Sequence, residues 1–145
     1  MPPKHRRGPN ASTNVRNEHF VDTSALIAFL DRSDSHHALF TRLFANPPAL
    51  RTSSLVIVEA HGWFLRRYHR ERALQFLAFV DTLPMQISSF DDAELKKATQ
   101  YLKKFADQNL TIADAHGLAL MVERRIMNCW STDRHLALTG ATLPI

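Results

Sequence analysis

Four carboxylates follow short apolar runs of this 145-residue chain, a position from which acidic side chains can bind metal and activate water. They are Asp22, Glu59, Asp114 and Asp133, after the apolar runs 20–21, 55–58, 110–113 and 129–132. If they meet in one pocket, they raise one another's pKa values, and a doubly charged cation removes that penalty. Mg²⁺ prefers oxygen ligands and usually takes only one or two carboxylates directly, and Mn²⁺ also fits such ligands. Such a site can lower the pKa of a bound water and orient it towards a phosphodiester.

Each acid also has a structural interpretation when it is considered alone. Asp114 and Asp133 suit helix N-termini, where the helix dipole favours negative charge, and Asp22 suits a helix cap. Glu59 is harder to explain in this way, because it follows four apolar residues and shares a helix side with Val56. We expect it to be buried, and a buried ionised carboxylate needs a partner, a proton or a metal.

The elements that would position these acids alternate between strand and helix. Short apolar runs between helix-period segments are typical of a parallel sheet covered on both faces, so we predict a three-layer α/β/α fold with a mainly parallel sheet. Ligands of such sheets gather at the carboxyl ends of the strands. We predict strands at 19–22, 50–53, 85–90 and 126–131, with a short edge strand at 142–143. We predict helices at 24–30, 35–44, 54–68, 71–82, 91–105, 111–125 and 134–139.

The segment that opens at Thr111 gives the firmest helix prediction. Thr111 and Asp114 have the T-x-x-D spacing of a capping box, and apolar residues follow at positions 115, 118, 119 and 122.

Composition indicates one domain, at 18–145, behind a basic flexible tail at 1–17. Four of the 18 basic residues precede the first acid, and the remaining 14 equal the 14 acidic residues. The tail either contacts nucleic acid or is a solvated leader. No apolar run approaches the roughly 20 residues of a membrane span, and no secretory signal is recognisable, so we expect a cytoplasmic protein without a membrane segment. The single Cys129 suits a buried, reduced thiol.

Other chemistries receive little support from the sequence. Four glycines, at positions 8, 62, 117 and 140, allow neither a dinucleotide fingerprint nor a P-loop. The eight histidines lack zinc-site spacing, so we expect His61, His69, His116 and His135 to be surface or packing residues. No G-x-S-x-G motif supports a serine hydrolase triad.

A basic stretch follows the predicted Glu59 helix. It contains Arg66, Arg67, Arg70 and Arg72, with Tyr68 and His69 among them. It is either a contact surface for an RNA backbone or a solvated charged face.

In their order and spacing, the local motifs resemble those of PIN-domain ribonucleases, in particular VapC-type toxins of toxin–antitoxin systems. The resemblance spans about residues 20–145. It rests on the motifs at 21–26, 36–37, 58–59, 110–115 and 131–136, and on Gly140 before Pro144. It implies a Mg²⁺- or Mn²⁺-dependent endoribonuclease that acts on an RNA substrate, is frequently a homodimer, and is inhibited by a small antitoxin protein.

By position, the resemblance makes Asp22, Glu59 and Asp114 the core metal-site acids and Asp133 a fourth, more variable one. It assigns supporting hydrogen bonds to Thr23, Ser24 and Thr132. The basic leader departs from the family, in which the first strand usually begins near the initiator methionine.

Two alternatives compete with the nuclease interpretation. The same fold can serve as a catalytically silent module that binds a protein or an RNA, although a scaffold has no need of crowded carboxylates. A phosphoacceptor or phosphatase domain would use the first-strand Asp, but a D-x-D pair and a clear active-site lysine are lacking.

Overall fold

In the computed structural model, which describes residues 17–145, a four-stranded parallel sheet lies at the centre of the chain. The strands are β1 (His19–Val21), β2 (Leu50–Ser53), β3 (Met85–Ser88) and β4 (Asn128–Trp130), in the order β3-β2-β1-β4. The predicted tail, apart from Asn17, lies outside the described residues. The predicted three-layer α/β/α arrangement with a parallel sheet is confirmed.

Six α-helices and one 3₁₀ helix connect and cover the strands. They are α1 (Thr23–Leu30), α2 (His37–Ala45), α3 (Ser54–Arg67), α4 (Arg70–Thr82), α5 (Asp92–Lys104), α6 (Ile112–Glu123) and the 3₁₀ helix Arg134–Ala137. None of the helices within 17–145 combines the length and the apolar character that a membrane crossing requires.

The boundaries of several elements differ from the sequence predictions. Helix α2 begins at His37 instead of residue 35, because the Asp34 carboxylate accepts the His36 N–H at 2.8 Å and forms a turn first. Strands β3 and β4 are shorter than predicted. The predicted edge strand at 142–143 is reduced to one parallel bridge between Thr142 and Asn128.

Strand β1 is central and is paired on both sides, with β2 and with β4. Its Phe20 and Val21 are fully buried. Just before the strand, the buried Glu18 carboxylate accepts hydrogen bonds from Arg51 of β2 and from Arg124 after α6. These contacts fix the start of β1, and therefore its end, relative to two neighbouring elements.

Strand β3, in contrast, is paired only with β2 among the described strands. Two of its four residues, Gln86 and Ile87, are exposed. The sheet thus has a well-covered half around β1 and β4 and a more open edge at β3.

Helix α6 approaches the sheet closely at a glycine. A Cβ atom added to Gly117 would lie 3.0 and 3.1 Å from two ring carbons of Phe20 and 3.2 Å from a methyl carbon of Leu136. Both neighbours are fully buried, so neither can easily move away.

We therefore predict that Gly117→Ala destabilises the protein by about 1–3 kcal/mol through overpacking, despite the higher helix propensity of alanine. Gly62→Ala in α3 is the matched control, because the atom nearest to the added Cβ, at 3.0 Å, belongs to the mobile end of Arg66. That control should gain up to about 1 kcal/mol. Urea unfolding measures both free energies, and equal effects of the two substitutions would contradict the packing argument.

Candidate active site

Asp22 is the most deeply placed of the four predicted acids. It directly follows β1, is the N-cap residue of α1, and is only 6% exposed. Its Oδ2 accepts hydrogen bonds from the Ser131 hydroxyl at 2.8 Å and the Ser24 hydroxyl at 3.1 Å. The pKa of Asp22 is raised to about 6: burial is the largest cause, the negative charge of Asp114 adds to the rise, and the hydrogen bonds from Ser131 and Ser24 oppose it. The effect of the Asp114 charge on Asp22 places the two carboxylates in one electrostatic environment.

Asp114 lies in the first turn of α6 and is 8% exposed. The predicted capping box is present: the Thr111 hydroxyl accepts the Asp114 N–H, and Asp114 Oδ2 accepts the Thr111 N–H, both at 3.0 Å. The box fixes the carboxylate through Oδ2. Among the described residues, no hydrogen bond engages Oδ1, which is therefore available to a ligand. The structural and the functional interpretations of Asp114 are thus compatible.

Asp133 approaches Asp114 from the end of β4. It is the N-cap residue of the 3₁₀ helix, and its Oδ1 accepts the His135 N–H at 3.0 Å. The His135 ring Nδ1 lies 3.3 Å from Asp133 Oδ1 and 3.9 Å from Asp114 Oδ2. One ligand atom from each of these three residues lies within 4.8 Å of the others. The expectation that His135 is a surface or packing residue therefore misses its position beside two acids.

Glu59 differs from its prediction in one respect. It was expected to be buried, but it is exposed, because α3 turns Val56, Ala60 and Phe64 inward and the intervening side of the helix outward. Its Oε1 nevertheless accepts a hydrogen bond from the Thr23 hydroxyl at 2.6 Å. Since Thr23 directly follows Asp22, this bond brings Glu59 to the border of the acidic site.

A network of hydroxyl groups joins the two strand ends. Ser24 Oγ lies 3.2 Å from Ser131 Oγ and accepts the Thr132 N–H at 3.0 Å, and Ser131 Oγ accepts the Asp133 N–H at 2.9 Å. Thr132 therefore takes part through its backbone. Ser131 was not predicted as a site residue, although its place directly after β4 and two residues before Asp133 was a usable signal. The network ties the loop that carries Asp133 to the Asp22 carboxylate.

Three arginines of the basic stretch lie away from the acids. Arg66, Arg67 and Arg70 are exposed near the end of α3 and the start of α4. Arg66 follows Glu59 by seven helical residues, which corresponds to about 10 Å along the axis. The Arg67 guanidinium lies 4.9 Å from the centre of the Tyr68 ring. Their predicted role in RNA binding stays a prediction.

A buried serine, a buried histidine and a partly exposed carboxylate form a second polar arrangement. Ser53 Oγ lies 2.6 Å from His116 Nδ1, and His116 Nε2 lies 3.1 Å from Glu94 Oε1. This is the order of a hydrolase triad, but Ser53 and His116 are fully buried, so the hydroxyl cannot reach a substrate. Ser53 also accepts the Leu55 N–H and caps α3. The arrangement is structural and joins β2 to α5 and α6.

The fold and the sequence have counterparts among known proteins. The PIN domain family matches residues 19–141, so the chain belongs to that family. Ribonuclease VapC26 of Mycobacterium tuberculosis is 27% identical over 115 residues, which cover 79% of this chain and 85% of that protein. The 23S rRNA-specific endonuclease VapC20 of the same species is 25% identical over 122 residues, which cover 83% and 93%. The VapC-type resemblance noted from the sequence is thereby confirmed.

Solved structures are similar to this fold. The crystal structure of Mycobacterium tuberculosis VapC20, described as a toxin that cleaves the sarcin–ricin loop, superimposes with a TM-score of 0.78 at 25% identity. The superposition covers 85% of this chain and 95% of VapC20. PAE2754 from Pyrobaculum aerophilum has a TM-score of 0.57 at 19% identity, with 88% and 90% covered, and this likeness shows the fold alone.

The raised pKa of Asp22 predicts a specific dependence of stability on pH. The folded state holds this proton more tightly than the unfolded state, whose pKa is near 3.8. Stability is therefore lost as the pH rises from about 4 to about 6, and it stays reduced at higher pH. In metal-free buffer, Asp22→Asn should be more stable than the wild type at pH 7.5 by up to about 3 kcal/mol, at about 1.4 kcal/mol for each pKa unit.

The difference between Asp22→Asn and the wild type should shrink below about pH 4, where both proteins are neutral at this position. Thermal unfolding across pH measures it. Asp81→Asn, at an exposed position of α4, is the control and should follow the wild type throughout. If the difference in stability between Asp22→Asn and the wild type is the same at every pH, burial of the charged carboxylate is not the cause of that difference.

Proposed function

We propose that this protein is an endoribonuclease that hydrolyses RNA phosphodiester bonds with the help of Mg²⁺ or Mn²⁺. The observation that supports this most directly is that Asp114 and Asp133 each offer a ligand atom within 4.8 Å of the other, while the charge of Asp114 acts on the buried Asp22 carboxylate. The curated relatives that are named ribonuclease or endonuclease add support.

The chemistry of the donor groups fits a divalent cation. Burial and the nearby charge of Asp114 both disfavour the ionised form of Asp22, and a cation reverses this balance. Asp22, Asp114 and Asp133 would hold the ion, with Glu59 and His135 at its border. The carboxylate oxygens suit both Mg²⁺ and Mn²⁺, whereas an imidazole such as that of His135 is a more usual ligand of Zn²⁺, iron or Ni²⁺. When bound, the cation would supply an acidified water and neutralise charge on the phosphate.

The chain's own residues would orient these acids. Ser131 and Ser24 hold the Asp22 carboxylate through Oδ2, and the Thr111 box holds Asp114. Thr23 holds Glu59 within reach of the same edge. Orientation by hydrogen-bonded neighbours is typical of metal sites and commonly affects metal affinity as strongly as the weaker ligands do.

The biological context is part of the proposal. The protein would be the toxin of a toxin–antitoxin pair, would bind a small antitoxin protein, and would act as a homodimer in the cytoplasm. Residues 18–145 would form the nuclease domain behind the basic tail at 1–17. Arg66, Arg67 and Arg70 would hold the RNA backbone by charge. The description of the relative VapC20 as a toxin supports the toxin assignment.

We predict that Asp22→Asn and Asp114→Asn each reduce cleavage of total RNA at least about 100-fold, because each removes a charge from the metal site. EDTA should abolish the wild-type activity, and added Mg²⁺ or Mn²⁺ should restore it. The assay is gel analysis of RNA with equal amounts of purified protein.

Asp107→Asn is the matched control for cleavage, since Asp107 is exposed and lies in the loop between α5 and α6. It should cleave like the wild type. Full metal-dependent cleavage by a folded Asp114→Asn protein would refute the assignment of the site. A folded wild type that binds RNA but never cleaves it would favour the silent binding module instead.

Metal binding can be tested without RNA. At a concentration 100-fold above its Kd, Mn²⁺ should stabilise the wild type by about 2.7 kcal/mol, and the midpoint of thermal unfolding should rise accordingly. The increase should be much smaller in Asp22→Asn, although that variant is the more stable of the two without metal. Equal increases in both proteins would place the ion elsewhere.

A further inference from the structure

A second concave site lies at the opposite end of α1 from the acids. It is a cavity of about 550 Å³ between the loop after α1 and the α3–α4 pair. The cavity is lined by Asp31, Arg32, Phe64, Tyr68, Arg72 and Phe76, among others. The two phenylalanines are 1% exposed and supply apolar surface. Arg32 is exposed, and Arg72 is partly exposed.

Two hydrogen bonds connect this cavity to the acidic site. At one end of α1, the Thr23 hydroxyl donates to Glu59 of α3, and at the other end the Tyr68 hydroxyl donates to Asp31. Helices α1 and α3 therefore run side by side from the acids to the cavity. Because α1 has eight residues, the two sites are separated by about 12 Å along the helix axis.

Asp31 is the chemically distinctive group of the cavity. It is 6% exposed, and its Oδ1 accepts three hydrogen bonds: from the Ser33 N–H at 3.0 Å, the Ser33 hydroxyl at 2.7 Å and the Tyr68 hydroxyl at 3.0 Å. Within residues 17–145, Oδ2 accepts no hydrogen bond, and no basic side chain comes within 4.0 Å of the carboxylate. Desolvation opposes ionisation, but the bonds from Ser33 and Tyr68 and the charge of Arg67 lower the pKa of Asp31 below its ordinary value. The cavity thus contains an ionised carboxylate with one unused oxygen.

The charges around the cavity restrict its ligand. The unused oxygen of Asp31 belongs to the lining of an open cavity, so a ligand that displaces water from it must offer an N–H or O–H donor in return. The guanidinium groups of Arg32 and Arg72 repel a cationic donor such as a lysine or arginine side chain and attract an anion. A simple anion, in turn, is repelled by Asp31. A neutral group with N–H donors that is attached to a phosphate satisfies all three side chains.

We propose that this cavity binds one nucleotide of the RNA substrate, with Asp31 Oδ2 accepting a hydrogen bond from the amino group of the base and Arg32 and Arg72 holding a phosphate. Recognition of an unstacked base by its Watson–Crick edge is the usual way in which proteins read single-stranded RNA. Cytosine, adenine and guanine carry an amino group. Uracil has a carbonyl oxygen at the corresponding position of cytosine, and its single N3–H lies between two carbonyl oxygens that repel a carboxylate, so uracil is disfavoured. This inference rests on the proposed function, because it assumes that RNA is the substrate.

The distance between the two sites indicates how many nucleotides lie between the base in the cavity and the phosphate at the acids. At about 3.4 Å for each nucleotide of a stacked strand, 12 Å corresponds to at most three or four nucleotides, and to fewer where the bases are unstacked and the strand is extended. The cavity would therefore select a base a few positions away from the phosphate that is cleaved. The acids would perform the chemistry, and the cavity would contribute to the choice of sequence.

The simplest competing role for Asp31 is a structural one, in which it fixes the loop after α1 to Tyr68. Asp31→Asn separates the two roles, because an asparagine can keep its Oδ1 as the acceptor of the three internal bonds. Its amide nitrogen would replace Oδ2, so the group that faces the cavity changes from an acceptor to a donor. A merely structural Asp31 would leave base preference unchanged in this variant.

The experiment compares binding of six-nucleotide oligo(C) and oligo(U), which differ at the position of the amino group. Fluorescence anisotropy in EDTA measures affinity without cleavage and without metal. The wild type should bind oligo(C) about tenfold more tightly than oligo(U), as expected for one base contact made by a charged group. Asp31→Asn should lose or reverse this preference. Asp34→Asn, a substitution of the same kind in the same loop but outside the cavity lining, should keep it.

Arg32→Gln is a second variant that leaves Asp31 and its internal bonds intact. It should weaken the binding of both oligonucleotides about equally and reduce the dependence of affinity on salt, as loss of a phosphate contact does. If Arg32→Gln binds both RNAs like the wild type, the phosphate part of the proposal is wrong.

The remaining outcomes are decisive in the same way. If the wild type shows no preference for oligo(C), or if folded Asp31→Asn keeps the preference, the cavity does not read a base and is free to receive a side chain of a protein partner. Cleavage is measured separately. A wild type that never cleaves RNA but prefers oligo(C) through Asp31 would refute the nuclease assignment and support base recognition by the cavity. A wild type that cleaves RNA without that preference would support the nuclease assignment and refute base recognition by the cavity.

Discussion

A buried carboxylate between two parallel strand ends determines the rest of the site. Val21 is paired in register with Trp130, so the residues that follow them, Asp22 and Ser131, leave the sheet side by side. The Ser131 hydroxyl then stabilises the ionised carboxylate, although burial still raises its pKa. A protein that needed only stability would place a neutral side chain here. Retaining an acid at this point is understandable if a cation compensates for the cost.

The architecture and the acids were accessible from sequence because each has a local signal. Short apolar runs predict buried parallel strands, and strand ends on one sheet edge bring acids together whatever the details of packing. The capping box of Thr111 and Asp114 was readable from two residue types at a fixed spacing. The roles of individual acids in catalysis are not tested by the fold and rest on the experiments above.

Features that depend on contacts between distant segments were not predictable. The exposure of Glu59 depends on which side of α3 meets the core, and an apolar run before it gave the wrong answer. The approach of His135 to Asp114 requires the 3₁₀ helix to pack beside α6. The cavity at Asp31 exists only because the loop after α1 meets Tyr68, which is 37 residues away along the chain. Single-sequence patterns contain no information about such meetings.

The unequal pairing of the strands has a consequence for motion. Transient opening of a sheet begins where few hydrogen bonds and little apolar contact hold a strand, and β3, with its exposed Gln86 and Ile87, meets that description. None of the proposed active-site carboxylates is attached to β3. Fraying of that strand can therefore occur while the geometry around β1 and β4 persists. Local opening of the sheet at β3 then leaves the distances between the active-site carboxylates unchanged.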